Sequence, residues 1–188
     1  MDGVAGLARG VGRRLALEAD DLDALVRGAE LHDVGKVAVP DQILCKPGPL
    51  DAVEWEFVRQ HTVVGERILS AAPALVPVAK IVRSSHERWD GTGYPDRLSG
   101  EDIPLGARIV TVCDSYHAMT SDRPYGVAMT ATAALAELQR CAGSQFDETV
   151  VKAFCEEVAA GSTEISDSAS TVPAPGPVVH AGETAEAR

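Results

Sequence analysis

ADDLDALVRGAELHDVGK, residues 19–36, places Leu22, Leu25, Val26, Ala29 and Leu31 on one face at helical spacing. Asp20 and Asp21 suit the positive end of a helix, and Gly35 suits a stop. The expected helix therefore runs out at His32 and Asp33, with Lys36 close behind. Adjacent side chains within a helix point about 100° apart and rarely share one ligand. At a helix end, where Val34-Gly35 relaxes the backbone, both can converge on an ion. Taken alone the His-Asp pair is a weak signal, because a helix-terminal histidine hydrogen-bonded to an aspartate is the commoner arrangement.

On either side the helical period continues. Val4–Leu17 repeats apolar residues in the same way, and VAVPDQILCKPGPL, residues 37–50, reads as a connecting loop punctuated by Pro40, Pro47, Gly48 and Pro49. Further helices are expected over Asp51–Ala71, bent near His61, and from Ala74 to about Ser85. A long loop from Glu87 to Pro104 contains Gly91, Gly93, Pro95 and Gly100, and loops of that length are usually functional or disordered. A hydrophobic helix over Leu105–Ser121 follows, then amphipathic helices near Thr130–Cys141 and Glu148–Ala159. From Gly161 the chain is rich in Ser, Thr, Ala, Pro and Gly, with little to bury, and a disordered tail is expected over residues 161–188. The expected architecture is all-α: one domain over residues 1–160, followed by that tail.

Composition agrees with this class and narrows the function. Of 188 residues, 45% are hydrophobic and only 4% aromatic, which suits close-packed helices better than sheets. The net charge of -11 argues against DNA, RNA or a membrane surface as partner, since each needs a basic face. A small anionic ligand stays open, because a metal ion reverses the local field. Cys45, Cys113, Cys141 and Cys155 show no paired spacing and read as free thiols in a reducing cytoplasm. No apolar run approaches the ~18 residues of a membrane span, and no signal peptide is visible. A soluble, cytoplasmic, bacterial-type protein is expected.

Five histidines are present, and His180 falls in the tail. His32, His61 and His86 each lie at or near a predicted helix end, while Asp114 sits in the apolar helical run ARIVTVCDSYHAM. An acid in such surroundings is costly to bury unless it is paired or metal-bound. Imidazole nitrogens with carboxylate oxygens suit divalent iron or manganese. Two such ions bridged by a carboxylate would clamp a phosphodiester, and Lys36 is near enough to Asp33 to touch a bound phosphate.

AELHDVGKVAVPDQIL, HERWDGTGYP, IPLGARI, CDSYHAMTSDRPY and FDETVVKAF together resemble the HD-GYP subfamily of HD-domain phosphohydrolases, over about Val4–Phe154. The resemblance implies an all-helical HD domain with a long GYP loop and a bi- or trinuclear iron or manganese site. It also implies hydrolysis of cyclic di-GMP to the linear dinucleotide or GMP. His32, Asp33, His61, His86 and Asp114 match the family's metal ligands, with Asp33 as the bridge. Lys36 matches the lysine facing the scissile phosphate, so Asp33 and Lys36 are the implied catalytic residues. Gly93, Tyr94 and Pro95 match the GYP turn, and Arg123 matches a residue near the substrate phosphate. An arginine is apt there because its planar fork binds phosphate oxygens bidentately.

Three positions depart from the family pattern. The first metal-binding histidine would align immediately before Met1, as a misassigned start or a truncation would produce. Ser85 stands where most members carry a histidine, and Gly126 where a basic residue commonly follows Arg-Pro-Tyr.

Other residues have plainer readings. Trp55 and Trp89 read as core and loop packing, and His117 as facing away from Asp114. Glu87 and Asp90 read as partners orienting His86, or as solvated or capping acids. Lys46 and Arg97 are either aids to an anionic substrate or ordinary surface charges. Ser121 and Asp122 read as helix-end residues.

A metal-dependent phosphodiesterase acting on a cyclic dinucleotide is the leading expectation. A non-catalytic module that binds the nucleotide, or a signalling partner through the GYP loop, is the second. A phosphohydrolase of another nucleotide or phosphoester is the third. A homodimer is compatible with each.

Overall fold

The computed structural model describes residues 3–122 and 128–169, with side chains to residue 161. Arg123 and Gly126 lie outside the described residues, as does the expected tail from residue 170 onward. Nine α-helices are present among the described residues, with no β-strand beyond an isolated bridge between Ala142 and Phe146. The helices are α1 (Val4–Arg14), α2 (Ala19–Leu31), α3 (Asp41–Leu44), α4 (Ala52–Arg59), α5 (His61–Ser70), α6 (Val76–Arg83), α7 (Leu105–Thr120), α8 (Ala131–Arg140) and α9 (Glu148–Ala169). The all-α expectation holds.

The main core lies among α1, α2, α7, α8 and α9. Val11, Leu25, Ile109, Leu138, Val150 and Phe154 are each fully buried there. The apolar period of ADDLDALVRGAEL is thus spent on burial: Leu25, Val26 and Ala29 face inward while Asp20, Asp21 and Asp23 stay outside. A smaller cluster of Leu69, Val78, Ala79 and Val82 joins α5 to α6, with Leu31 and Val34 packed against it. It seats the end of α2 on the α5–α6 pair, and the candidate site lies at that junction.

Gly35 makes the junction possible. It sits in a 3₁₀ turn over Val34–Ala38, and a Cβ there would lie 1.8 Å from the carbonyl oxygen of His61 and 2.6 Å from the nitrogen of Gly65. Both obstacles are backbone, so only glycine lets the two segments approach this closely.

Several boundaries differ from the sequence expectation. The 37–50 connection contains α3 as well as the end of the 3₁₀ turn, because Pro40 presets the backbone before a single helical turn. The bend near His61 is found, with Gln60 capping the end of α4 and the start of α5. The helix expected to stop at Ala159 continues to Ala169, across the 160/161 domain boundary. Its added residues include no proline before Pro173, so nothing in the backbone forces the earlier stop.

Trp55 is not a core residue. It is 46% exposed on α4, a helix with no buried residue at all. That helix is held instead by its own ends. Asp51 accepts from the backbone of Val53 and Glu54, Glu54 accepts from the backbone of Asp51, and Lys46 donates to Glu54 at 2.5 Å.

The Gly35 contact yields a prediction. Gly35→Ala forces backbone apart and costs about 3 kcal/mol or more. The thermal unfolding midpoint, followed by circular dichroism, falls by roughly 10 °C.

Candidate metal centre

The expected ligands are delivered by the ends or the core of four helices, His32 and Asp33 together from the end of α2. His32 is the C-cap of α2, and Asp33 leaves the helix with φ -98 and ψ 2, which turns its side chain away from the helical direction. The two neighbours therefore face one place, with His32 Nε2 lying 3.6 Å from Asp33 Oδ2. His61 is the first residue of α5, and His86 follows the end of α6. Asp114 projects from the middle of α7, its Oδ1 also 3.6 Å from His32 Nε2.

Asp33, His61 and His86 offer ligand atoms that all lie within 4.8 Å of one another, and His61 Nε2 is 3.7 Å from Asp33 Oδ1. His32 and Asp114 join this group through the contacts just given. All five expected ligands are therefore gathered in one place.

The histidines are oriented by the backbone. His32 Nδ1 hydrogen-bonds the Ala29 carbonyl at 2.8 Å, and His61 Nδ1 the Val58 carbonyl at 2.5 Å. Donation from Nδ1 leaves Nε2 as the lone-pair nitrogen turned to the carboxylates, the arrangement a ligating imidazole needs. Nε2 of His61 and Nε2 of His86 are buried and have no hydrogen-bond partner. A buried polar atom left unpaired costs about 1–3 kcal/mol, so two such atoms beside one carboxylate fit a bound cation. The residues present thus fit a divalent ion.

Electrostatics point the same way for these two rings. Burial, followed by the neighbouring His61, pushes His86 down to about 4, and burial lowers His61 as well. Both are neutral at pH 7, as ligation requires. His32 differs. Burial pulls it down, but Asp114 and the Ala29 carbonyl outweigh burial and raise it, while His32 holds Asp114 below the usual carboxylate range against its own burial. The cost of placing Asp114 in an apolar helix is offset by that partner.

Lys36 Nζ donates to Asp33 Oδ2 at 2.6 Å, placing a positive charge at the edge of the group. The Tyr94 ring stacks on His86, with ring centroids 5.1 Å apart and 8° between planes. Gly93 allows this. A Cβ there would lie 2.4 Å from the Arg88 nitrogen and 2.5 Å from the Glu87 Cα, so the turn is pressed against the backbone that follows His86. Tyr94 N–H also donates to the His86 carbonyl at 3.2 Å. Gly93, Tyr94 and Pro95 line a cleft of about 460 Å³ beside the centre.

Glu87 corrects its sequence reading. It is 2% exposed, and its Oε1 accepts from the Asp96 N–H at 2.7 Å rather than from His86. It anchors the GYP loop to the residue after a ligand. Asp90 binds Arg88 and Thr92, again not His86. Arg83 was missed by sequence reasoning. It grips Asp96 at 2.6 and 2.8 Å and also binds Glu66, tying α5, α6 and the loop together. No local motif marks it, since both partners are distant in sequence. Ser85 is buried and donates to the Val82 carbonyl at 2.9 Å, so its hydroxyl is turned into its own helix. His117 lies 3.5 Å from the Ser121 hydroxyl and outside the ligand group.

Comparison with known proteins agrees with this geometry. The HD domain family model matches residues 2–150. A cyclic di-GMP phosphodiesterase of Thermotoga maritima is 45% identical over 128 residues, covering 67% of this chain and 35% of that protein. The cyclic di-GMP phosphodiesterase response regulator RpfG of Xanthomonas campestris is 44% identical over 156 residues, covering 82% and 40%. A 3'3'-cGAMP-specific phosphodiesterase of Vibrio cholerae is 41% identical over 142 residues, covering 74% and 27%. The chain thus spans well under half the length of these relatives. Among solved structures, a cyclic GMP-AMP specific phosphodiesterase of V. cholerae superposes with a TM-score of 0.66 at 18% identity, over 91% of this chain and 48% of that one. An HDG"Y"P protein of Bdellovibrio bacteriovorus gives 0.67 at 16%, over 84% and 51%. These two show the shared helical fold. With the His32-Asp33 pair, the ligand group around it and the Gly-Tyr-Pro turn stacked on His86, the chain belongs to the HD domain family, in its HD-GYP branch.

Proposed function

We propose that this protein is a metal-dependent phosphodiesterase that hydrolyses a cyclic dinucleotide, with cyclic di-GMP as the first substrate to test. The observation that carries the reading is the pair of buried, partnerless Nε2 atoms of His61 and His86 facing Asp33. The names of the relatives support the substrate class.

In this reading His32, Asp33, His61, His86 and Asp114 would hold divalent ions, iron or manganese and two in number. Bound there, such ions supply Lewis acidity toward phosphate oxygens and an acidified water. The chain's own residues do the rest. The Ala29 and Val58 carbonyls fix the imidazole tautomers of His32 and His61, and Tyr94 covers His86 and limits water beside it. Lys36 moves from Asp33 to a phosphate oxygen and stabilises charge as the ester bond breaks. Arg123 is a second phosphate contact in this proposal. The four free cysteines support a reducing compartment, the cytoplasm, and no helix among the described residues is long and apolar enough to cross a membrane.

One observation favours a second reading. Ser85 supplies no ligand and its hydroxyl is already satisfied, which suits a module that binds the nucleotide, or a signalling partner at the GYP loop, without turnover.

Metal content tests the site itself. His61→Ala purified anaerobically beside the wild type holds less iron or manganese by elemental analysis, whereas Trp55→Ala, changed on exposed α4, holds as much as the wild type. Equal metal in His61→Ala removes the centre from the reading.

Turnover tests the reaction. The metal-loaded protein converts cyclic di-GMP to a linear product resolved by chromatography. Asp33→Ala abolishes conversion, and Lys36→Ala lowers kcat by roughly 100-fold. A wild type with less than one metal equivalent and no product refutes the enzyme reading in favour of the binding module.

A further inference from the structure

The cleft beside the metal centre contains two arginines that the reaction described above does not use. It runs between the end of α4 and the GYP loop, with a volume of about 460 Å³, and is lined by Glu56, Arg59, Gln60, Thr92, Tyr94 and Arg97 among others. Tyr94 is shared between the two places. Its ring stacks on His86 of the centre, and the Arg59 guanidinium carbon lies 5.6 Å from the same ring. The cleft therefore begins where the ligand group ends.

Neither arginine is engaged by a carboxylate. Among the described residues no acid forms an ion pair with Arg59 or Arg97, although the chain carries 28 acids against 17 lysines and arginines. The cleft's own acid, Glu56, accepts from the Gln60 side chain at 3.3 Å. By contrast Arg83, a few residues from the loop in space, is saturated by Asp96 and Glu66.

Arg97 is also held in a backbone conformation that arginine disfavours. Its φ is 59, in the left-handed region, a strained conformation that the surroundings must impose. The restraint is visible: the preceding residue, Asp96, is fixed on both sides, its N–H by Glu87 and its carboxylate by Arg83. The loop thus holds Arg97, in a strained backbone conformation and with no acid partner among the described residues, in the lining of a cleft that opens beside the centre.

A cyclic dinucleotide carries two phosphates, and hydrolysis at the metal centre engages one of them. We propose that the cleft between α4 and the GYP loop receives the substrate's second, uncleaved phosphate, with Arg59 and Arg97 as its binding residues. This rests on the cyclic-dinucleotide reading above and deepens it. A guanidinium fork matches phosphate oxygens in two directions at once, which fixes the dinucleotide's orientation as well as its charge. A substrate with a single phosphodiester has nothing for these residues to hold.

The test uses the full chain loaded with manganese. KM and kcat for cyclic di-GMP are measured for the wild type, Arg59→Ala, Arg97→Ala and the double variant, together with Kd for cyclic di-GMP by calorimetry at low and high salt. Each single substitution is expected to raise KM and Kd about tenfold, the double more, and to flatten the salt dependence of Kd, with kcat changed less than about twofold. Arg59→Lys, which keeps the charge and loses the fork, recovers part of the affinity. Unchanged KM and Kd in the double variant overturn the proposal, even if the wild type is an efficient enzyme. A fall in kcat with KM unchanged also overturns it, since Arg59 would then act through Tyr94 and His86. If the wild type binds without turnover, the Kd values decide alone: loss of affinity in the variants upholds the subsite while the catalytic reading falls. A wild type that neither binds nor turns over cyclic di-GMP refutes both.

Discussion

The contact on which the rest depends is that of Gly35 with the start of α5, where the 3₁₀ turn after Asp33 lies against the His61 carbonyl and the Gly65 nitrogen. It brings the last residues of α2 to the first residue of α5. Without it, Asp33 could not stand 3.7 Å from His61, and the histidine would have no anionic neighbour. Burying His61 to 1% exposure then becomes tolerable, because the nitrogen facing inward has a carboxylate beside it and a cation can sit between them. A backbone contact made in folding thus sets the chemistry of the centre.

The second constraint is the tethering of the GYP loop. A loop of this length loses considerable entropy on ordering, and the structure offsets it with buried and charge-assisted bonds. Glu87 reaches from the residue after a ligand to the backbone at Asp96, and Arg83 reaches from the end of α6 to the Asp96 carboxylate. Elsewhere the backbone of Trp89 and Asp90 donates to Gln145 and Ser144, so the turn before α9 holds the other flank. Gly93 closes the arrangement by letting the turn rest on Glu87 and Arg88. The ring of Tyr94 is consequently placed on His86 by restraints from several elements.

Much of this could be read from the chain. The periodic stretches around Leu25, Ile109 and Phe154 announced an all-α core, and the helix-end positions of His32, His61 and His86 were visible because helix termini carry sequence signals. The gathering of Asp114 with them came from the family resemblance, since one acid in an apolar helix says nothing of what it faces. Other features were out of reach for the same reason. The roles of Glu87 and Arg83 depend on Asp96, and pairings between residues brought together by folding leave no periodic trace. Trp55 was misread because large aromatics are usually buried, whereas α4 is held by its capping box and the Lys46–Glu54 pair and presents Trp55 and Phe57 to solvent.

Charge shows how the two constraints serve one site. The chain carries a net -11, a poor prospect for an anionic ligand if its acids were spread evenly. They are not spread evenly near the centre. Asp33 and Asp114 are occupied with His32 and Lys36, and Asp96 and Glu66 with Arg83, so four carboxylates around the centre and the loop are each matched to a basic side chain. The cleft is lined by Arg59 and Arg97, which no acid pairs among the described residues, against one carboxylate, that of Glu56, and Arg59 lies over the Tyr94 ring that stacks on His86. An electronegative protein can present an electropositive pocket in this way because screening confines each exposed charge to about 10 Å, so the sign a ligand meets is set by the residues lining its path. Here those residues are placed by the same loop whose glycine and tyrosine complete the centre.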